Sequence, residues 1–342
     1  MNVGDKMIQN PFVYFEPVKG HDFSNREEII HEISKITFQS KQQGNVWVVG
    51  ERQVGKTSLL QRIERLYQDE HPIINLYGTG QEFKVLFIYF NCQIIRESNG
   101  FYQNLTQCFA NQFDFKIEEK ENPDATFINW LKQVYEKKYY IVFLLDEFDA
   151  FIEKYTRSSP DDAAHFLDTF NVLKQDIPGL KDKRKAFGVV CASNCTYGEL
   201  TENLDLSGSG LTFVQEIELS NFTEKQVFDM ASQYLDGNPI QFSESEIQFC
   251  YKMTHGYPLF AQHLFSIMYE EKTKKPDRPD KDFLKVVKSE YGKAFKKTVE
   301  DWEKQKKLTH RTKLKLKAIL EDTKDEIKDV ASTVITKIIE GS

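Results

Sequence analysis

One segment of the chain, Gly50-Glu-Arg-Gln-Val-Gly-Lys-Thr-Ser58, constrains the fold more than any other feature. It fits the phosphate-binding loop pattern G-x-x-x-x-G-K-[ST] at every fixed position. The apolar run from Asn45 to Val49 precedes it and predicts a buried strand, and apolar residues at helical spacing follow it. In that context the glycines let backbone N–H groups approach phosphate oxygens, and the helix N-terminus adds a positive dipole end. The segment therefore predicts a site for the phosphates of a nucleotide.

Individual residues of the loop have predicted roles. The Lys56 ammonium is expected to reach the β- and γ-phosphates, and the Thr57 hydroxyl to bind Mg²⁺. ATP is favoured over GTP because the chain has no N-K-x-D motif for guanine, so the expected cofactors are ATP and Mg²⁺. The loop residues predicted to bind the cofactor are Gly50, Arg52, Gln53, Val54, Gly55, Lys56, Thr57 and Ser58.

A second apolar run, Tyr139 to Leu145, ends in the acid pair Asp146-Glu147. In a parallel sheet the carboxyl ends of the strands meet at the ligand-binding edge, so both acids are predicted to lie near Lys56. Asp146 is expected to hold Mg²⁺ through water, and Glu147 to orient and polarise the attacking water. The predicted metal residues are therefore Thr57 and Asp146, and the predicted catalytic residues begin with Glu147 and Lys56.

Polar residues also end two other predicted strands. Asn91 ends the strand Val85 to Phe90, and Ser193 and Asn194 end the strand Ala186 to Ala192. A side chain at such a position can hydrogen-bond the γ-phosphate or the attacking water and so report whether phosphate is present. Ser and Asn also favour turns on their own account, and the sequence leaves both interpretations open.

Five continuous apolar strands separated by helices predict an α/β fold, a parallel five-stranded sheet sandwiched by helices. The fifth strand is Thr212 to Leu219, and the pattern after it is helical. We expect a nucleotide-binding core over residues 1–220, a helical lid over 221–278 and a charged helical region over 279–342. The longest apolar run has only seven residues, and five scattered cysteines indicate reduced thiols, so a soluble cytoplasmic protein without a membrane span is expected.

The chain resembles the P-loop ATPases of the AAA+/STAND group, including archaeal-type ATPases. The resemblance covers roughly residues 10–270. It rests on Asn10-Pro-Phe, Phe23-Ser-Asn-Arg-Glu27, the loop at 50–58, Leu145-Asp-Glu-Phe-Asp149 and Thr254-His-Gly-Tyr-Pro258. It implies a P-loop NTPase core with a helical lid, ATP hydrolysis, Arg26 near the adenine and Pro258 approaching the nucleotide from the lid. Pro258 also fits the first turn of a helix on its own account.

The chain departs from the family pattern in two respects. The family motif F-x-G-R-E has Asn25 in place of its glycine, and residues 255–270, where such lids often place an arginine, contain none. Lys252 or His255 would have to replace that arginine, and Arg157 and Arg184 are the candidates for an arginine acting on a neighbouring copy. Slow hydrolysis, with the nucleotide acting as a switch, follows as a hypothesis.

Three functions fit these features. The first is an ATP-driven switch in which lid closure controls self-association or recruits an effector or partner protein, as in bacterial signalling or defence. The second is a DNA-associated loader or transposition-type regulator, with DNA bound along the basic run Lys304–Lys317. Residues 271–342 hold 20 Lys and Arg against 14 Asp and Glu, whereas the other 270 residues hold 25 against 38. The acidic body is not expected to bind DNA over its whole surface, and the basic region is either the DNA-binding candidate or a solvated helical face. The third is an ATP-binding scaffold without turnover.

Overall fold

The computed structural model of the chain describes most of its 342 residues. The described residues are 10–12, 14, 16–18, 23, 25–39, 43–76, 80–95, 100–113, 123–175, 187–206, 214–276, 278–305, 308–324, 326–327 and 334.

The described strands form one mixed sheet. They are β1 (Asn45–Val49), β2 (Ile73–Leu76), β3 (Gln81–Asn91), β4 (Tyr139–Asp146), β5 (Phe187–Ser193) and β6 (Val214–Glu218). The order across the sheet is β2-β3-β4-β5-β1-β6, and every neighbouring pair is parallel except β2 and β3. All five residues of β1 and all seven of β5 are buried, as expected for central strands of a sheet covered on both faces.

The predicted α/β class and its five strands are confirmed, but the sheet has a sixth strand. β2 pairs antiparallel with the first residues of β3, Ile73 opposite Lys84 and Leu76 opposite Gln81. Only alternate residues of β2 are buried, and a four-residue strand with one apolar face is too short for its periodicity to stand out in the sequence. The strand β2 forms because β3 offers it a pairing partner, not because its own residue pattern favours a strand.

The topology places three strand ends together. β1, β5 and β4 are neighbours and run parallel, so their carboxyl ends lie at one edge of the sheet. β1 is followed by Gly50, β5 is followed by Asn194, and β4 ends at Asp146. This edge is where parallel α/β sheets bind ligands.

The chain folds into two compact units. The sheet unit comprises Arg26–Gly50 and Lys56–Leu219, and the helical unit comprises, among the described residues, those of Met1–Asn25, Glu51–Gly55 and Ser220–Ser342. The helices of the sheet unit are α1 (Glu27–Ser34), α2 (Lys56–Leu66), α3 (Gly100–Phe113), α4 (Pro123–Glu136), α5 (Phe148–Ser158), α6 (Pro160–Gln175) and α7 (Tyr197–Asn203). One aromatic-rich core, which includes Trp47, Phe101, Phe127 and Phe143, joins several of these helices to the sheet.

The helical unit has a separate core. Its helices are α8 (Glu224–Tyr234), α9 (Glu244–Thr254), α10 (Pro258–Lys274), α11 (Asp280–Lys304) and α12 (His310–Thr323). One cluster of buried side chains runs from Phe12 through Phe260 on α10 and Tyr291 on α11 to Leu316 on α12. The apolar faces of α11 and α12 thus pack against the preceding helices. The division into a lid over 221–278 and a distinct region over 279–342 stays a prediction. No helix in the described part of the chain is long and apolar enough to cross a membrane.

Candidate nucleotide-binding site

The loop Gly50–Gly55 connects β1 to α2 by a tight turn. The Gly50 amide donates to the carbonyl of Ser193 on β5 (3.2 Å), and the Val54 amide donates to the carbonyl of Glu51 (3.3 Å). Gly55 has φ +106° and Gln53 has φ +56°, so the chain takes the left-handed region twice just before α2 begins at Lys56. The first amides of α2 have no acceptor within the helix, which makes this N-terminus a site for an anion.

The Lys56 side chain folds back over the loop. Its Nζ donates to the Gly50 carbonyl (2.7 Å) and to Asn194 Oδ1 (3.0 Å), and the residue is only 8% exposed. The ammonium therefore lies between the end of β1 and the end of β5. Both of these acceptors are neutral oxygens, and an anionic phosphate oxygen would form a stronger hydrogen bond with the ammonium.

A carboxylate that the sequence analysis did not single out fixes the Asn194 amide. Asp149 Oδ2, on the first turn of α5, accepts from the Asn194 backbone amide (2.8 Å) and from Asn194 Nδ2 (3.1 Å). With Nδ2 directed at Asp149, Asn194 Oδ1 is presented to Lys56. A chain of hydrogen bonds thus links the acid-rich segment after β4 to the lysine of the loop.

The predicted acid pair lies at the end of β4. Asp146 is 2% exposed, its Oδ2 accepts from the Tyr89 hydroxyl (2.8 Å), and its Oδ1 accepts from the Glu147 amide (3.1 Å). Burial, with the nearby Asp146 carboxylate adding to it, raises the pKa of Tyr89, so the hydroxyl remains a donor at neutral pH. Glu147 is the N-cap residue just before α5 and has φ +53°, a strained conformation for a residue with a Cβ.

The two other predicted strand-end residues make turn contacts. The Ser193 hydroxyl donates to the Cys195 carbonyl (2.7 Å) and accepts from the Cys195 amide (3.1 Å). Asn91 accepts from the Gln93 amide (2.9 Å), which caps a short 3-10 helix. Of the three strand-end candidates, Asn194 is the one that hydrogen-bonds Lys56.

The remaining loop residues belong by their packing to the helical unit. The Tyr257 hydroxyl donates to the Arg52 carbonyl, and Lys315 Nζ on α12 lies 2.8 Å from Glu51 Oε2. Glu51 is 2% exposed, so this ion pair is largely shielded from solvent on one side. Neither contact was predicted, because each joins residues more than 200 positions apart in the sequence.

The segment Thr254-His-Gly-Tyr-Pro258 joins α9 to α10, and Pro258 is the first residue of α10. Gly256 has φ +66°, and a Cβ on it would lie 1.9 Å from the Phe222 carbonyl oxygen. Only glycine fits there without displacing backbone. The helix-start interpretation of Pro258 is thus realised, and its predicted approach to a nucleotide stays a prediction.

The segment before α1 explains one departure from the family pattern. Asn25, which stands where the pattern has glycine, has φ +63°, and Asn is the non-glycine residue that best tolerates this conformation. Its side chain donates to the Gln226 carbonyl (2.7 Å). Arg26 is 6% exposed, and burial lowers its pKa to about 10.

The described side chains that could replace the missing lid arginine, or act on a neighbouring copy, are paired with acids. His255 Nε2 lies 3.2 Å from Asp322, and Lys252 Nζ lies 3.4 Å from Glu326. Arg157 is 76% exposed in its side chain and pairs with Glu153 on the same helix. Arg184 lies outside the described residues.

Donor chemistry decides whether these residues fit Mg²⁺. Thr57 supplies a hydroxyl and Asp146 a carboxylate, both hard oxygen ligands of the kind that Mg²⁺ prefers. Within the described residues there is no group of three His, Cys, Asp or Glu side chains that would hold a metal by itself. A nucleotide-bound Mg²⁺ needs only one or two protein carboxylates besides phosphate oxygens and waters, so the site fits this ion.

Comparison with known proteins finds one matching family domain and several similar folds. Residues 39–192 match the family model of the AAA domain. The ORC2 protein of Aeropyrum pernix, solved as ADPNP–ADP complexes, has a similar fold at 12% identity (TM-score 0.57), over 83% of this chain and 72% of that one. The CDC6P protein of Pyrobaculum aerophilum is similar at 17% identity (TM-score 0.52), over 96% of this chain and 83% of the other.

A Walker-type ATPase of Pyrococcus abyssi is also similar at 15% identity (TM-score 0.53), over 95% of this chain and 99% of that one. No curated protein matches the chain. The resemblance to AAA+ P-loop ATPases is confirmed as a resemblance: residues 39–192 match the AAA domain family, and the solved structures show a similar fold. The narrower STAND assignment stays a prediction.

Proposed function

We propose that this chain binds Mg–ATP at the Gly50–Ser58 loop, hydrolyses it slowly and acts as a nucleotide-dependent switch. The observation that carries the proposal is the hydrogen-bonded chain from Lys56 through Asn194 to Asp149, beside the acids at the end of β4. It gathers a cation, a polar sensor and the acid-bearing segment at one edge of a parallel sheet. The ADPNP–ADP complexes named for the similar Aeropyrum pernix protein agree with adenine nucleotides as ligands.

Each residue of the site has a role in the proposed reaction. The loop amides and Lys56 hold the β- and γ-phosphates, and Lys56 exchanges its bond to Asn194 or Gly50 for a phosphate oxygen. Thr57 and Asp146 are the residues that would hold Mg²⁺, which neutralises phosphate charge when bound. Glu147 orients the attacking water and takes its proton. Asn194 Oδ1, released by Lys56, can then accept a hydrogen bond from the attacking water.

Slow turnover is part of the proposal. Lys252 and His255, which stand nearest in sequence to where related lids carry an arginine, both face acidic side chains within the helical unit. A γ-phosphate would have to compete with those acids for either cation. We infer that ATP persists long enough to define a state of the protein, which suits control of self-association or of a partner.

Three described lysines of the basic run are paired with acids, which disfavours the DNA-binding alternative at those positions. Lys304, Lys315 and Lys317 each lie within ion-pair distance of an acid, at 3.8, 2.8 and 3.8 Å. Bound phosphates would have to displace Asp301, Glu51 and Glu321.

A cytoplasmic location belongs to the proposal, since the five cysteines are free thiols that a reducing compartment would preserve.

Two substitutions test the site. Lys56→Ala is expected to weaken ATP binding about 10- to 100-fold, because it removes a charged hydrogen-bond donor to phosphate. Arg65→Ala, on the exposed side of the same helix, is the control and should bind ATP as the unmodified chain does. Calorimetric titration with ATP and ADP measures both, and equal affinities in the two variants would contradict the assignment of Lys56.

Glu147→Gln separates binding from hydrolysis. It should keep ATP bound and lower phosphate release about 100-fold or more, since the carboxylate that accepts the water's proton is lost. Glu153→Gln, on the same helix, should leave phosphate release unchanged. Phosphate release that survives Glu147→Gln at the unmodified rate would contradict the role of Glu147, whereas an unmodified chain that binds ATP and releases no phosphate would leave only the ATP-binding scaffold. Light scattering with ATP, ADP and a non-hydrolysable analogue then tests whether the bound nucleotide changes the state of association.

A further inference from the structure

Tyr89 on β3 contacts the predicted metal-binding acid from a neighbouring strand. In the β3–β4 register Asn91 is opposite Asp146, so Tyr89 is its diagonal neighbour on the same face of the sheet. The Tyr89 hydroxyl lies 2.8 Å from Asp146 Oδ2. Diagonal neighbours are within reach of a long aromatic side chain, and here the hydroxyl makes the contact.

The P-loop helix holds Tyr89 in place from the other side. Glu64 Oε1 accepts a hydrogen bond from the Tyr89 backbone amide (2.9 Å). β2 pairs only with residues 81–84 of β3, so it does not reach the Tyr89 amide, and Glu64 is the acceptor there instead. The backbone of Tyr89 is therefore held by α2, the helix that carries Lys56 and Thr57.

The two hydrogen bonds to Asp146 fix the plane of its carboxylate. Oδ2 accepts from Tyr89 and Oδ1 accepts from the Glu147 amide, one donor on each oxygen. Each carboxylate oxygen has further acceptor capacity, so the acid remains able to bind a hydrated cation. A carboxylate held in this way loses little freedom when it binds a metal.

We propose that Tyr89 is a positioning residue for Mg²⁺: it holds Asp146 in the orientation that the Mg–nucleotide complex requires and ties that orientation to the P-loop helix. This inference rests on the proposed function, because it assumes that Asp146 serves Mg²⁺. Partners of metal ligands of this kind typically change metal affinity 10- to 100-fold when removed. The expected signature is a changed Mg²⁺ requirement with an unchanged affinity for nucleotide alone.

Tyr140 provides a matched control. It is a buried tyrosine on β4, the strand next to that of the half-buried Tyr89, and its hydroxyl donates to the Thr37 carbonyl (3.3 Å) rather than to an acid of the site. Tyr89→Phe and Tyr140→Phe each remove one hydroxyl and one hydrogen bond without changing the ring. Both should lower the free energy of unfolding, because each leaves an acceptor without its donor.

The experiment titrates Mg²⁺ into each protein at a fixed concentration of fluorescent ADP and follows binding, with a second ADP titration in EDTA. Tyr89→Phe is expected to raise the Mg²⁺ concentration at half-saturation about 10-fold, and Tyr140→Phe to leave it unchanged. ADP affinity in EDTA should be the same in all three proteins.

Two results would overturn the inference. If Tyr89→Phe and Tyr140→Phe reach half-saturation at the same Mg²⁺ concentration, the Tyr89 hydroxyl contributes only a structural hydrogen bond and does not position Asp146 for the metal. An unmodified chain that binds ADP equally with and without Mg²⁺ would overturn the role of Asp146 itself, and with it both the proposed function and this inference. The unmodified protein therefore separates the second failure from the first.

Discussion

The sheet unit and the helical unit each hold one part of the P-loop segment, and they do so by different means. In the sheet unit Lys56 is held by acceptors at neighbouring strand ends, Gly50 and Asn194. In the helical unit Glu51 and Arg52 are held by side chains that follow 264 and 205 positions later, on Lys315 and Tyr257. The first set of contacts follows from the topology of a parallel sheet, and the second from the way one particular helical region packs.

This difference separates what is general in the site from what is specific to the chain. In any parallel sheet with a P-loop, the carboxyl ends of the strands lie near the lysine of the loop. An ion pair to Glu51 and a tyrosine on the Arg52 carbonyl depend on individual side chains of α12 and of the turn before α10. We expect the sheet-side contacts to govern binding and chemistry, and the helix-side contacts to govern how firmly the loop is held.

The largest expected effect concerns the turn that positions Tyr257. Gly256→Ala places a Cβ 1.9 Å from the Phe222 carbonyl oxygen at φ +66°, and should destabilise the helical unit by about 4 kcal/mol or more. Gly237→Ala is the matched control, because Gly237 has φ +67° with no atom within 4 Å of the added Cβ. It should cost only the conformational term of about 1–2 kcal/mol.

Hydrogen exchange of peptides from the two units measures where Gly256→Ala acts. Faster exchange confined to α8–α12 and to residues 51–55 would sharpen the distinction between the units. Equal effects of Gly256→Ala and Gly237→Ala would show that the turn tolerates the added Cβ, and the explanation of the glycine would then be wrong.

The next effect tests the sheet side. Asp149→Asn keeps one oxygen to accept from Asn194 but loses the charge, and charged hydrogen bonds are about twice as strong as neutral ones. The free energy of unfolding should fall by about 1–2 kcal/mol. The fall is limited because Asp149 Oδ1 is already buried without a hydrogen-bond partner among the described residues, so part of the desolvation cost is present before the substitution. The preference for ATP over ADP should fall several-fold, since the amide of Asn194 is no longer held in one orientation.

Urea denaturation and paired titrations with ATP and ADP measure the two consequences of Asp149→Asn. Asp168→Asn, at an exposed position of α6, is the control and should change neither. A variant that loses stability but keeps the full preference for ATP would confine Asp149 to the core and remove Asn194 from the nucleotide-sensing role.

The smallest effect tests the helix side. A double-mutant cycle of Lys315→Met and Glu51→Gln should give a coupling energy of about 1 kcal/mol, more than a fully exposed pair because Glu51 is 2% exposed. Lys317→Met, whose ammonium lies 3.8 Å from Glu321 on the exposed face of α12, should cost less than about 0.5 kcal/mol. A cycle that closes with zero coupling would break the comparison, because the α12 contact would then contribute nothing to holding the loop.

Much of the fold could be predicted because uninterrupted apolar strands and the P-loop pattern are local signals. Both give residue positions directly, and the parallel arrangement then brings the ends of separate strands together. Asn194 shows where that reasoning ends. The sequence indicated either a turn or a sensor, and only the structure places its Oδ1 on Lys56.

The residues that were missed are defined by contacts rather than by patterns. Tyr89 lies within an apolar run and reads as core, although its hydroxyl reaches Asp146. Asp149 reads as an ordinary acid in the first turn of a helix, although it orients Asn194. In each case the available signal was a polar atom within an otherwise buried segment, two or three positions from a residue already predicted to bind.

The left-handed backbone at Glu147 has a consequence for the design of variants. A residue with a Cβ held at φ +53° costs about 1–3 kcal/mol, whereas glycine adopts that conformation freely. Glu147→Gly would therefore yield a chain that resists unfolding better while lacking the carboxylate beside Asp146. Higher thermal stability of Glu147→Gly together with lost phosphate release would show that relief of the backbone and the proposed chemistry are separable at this position.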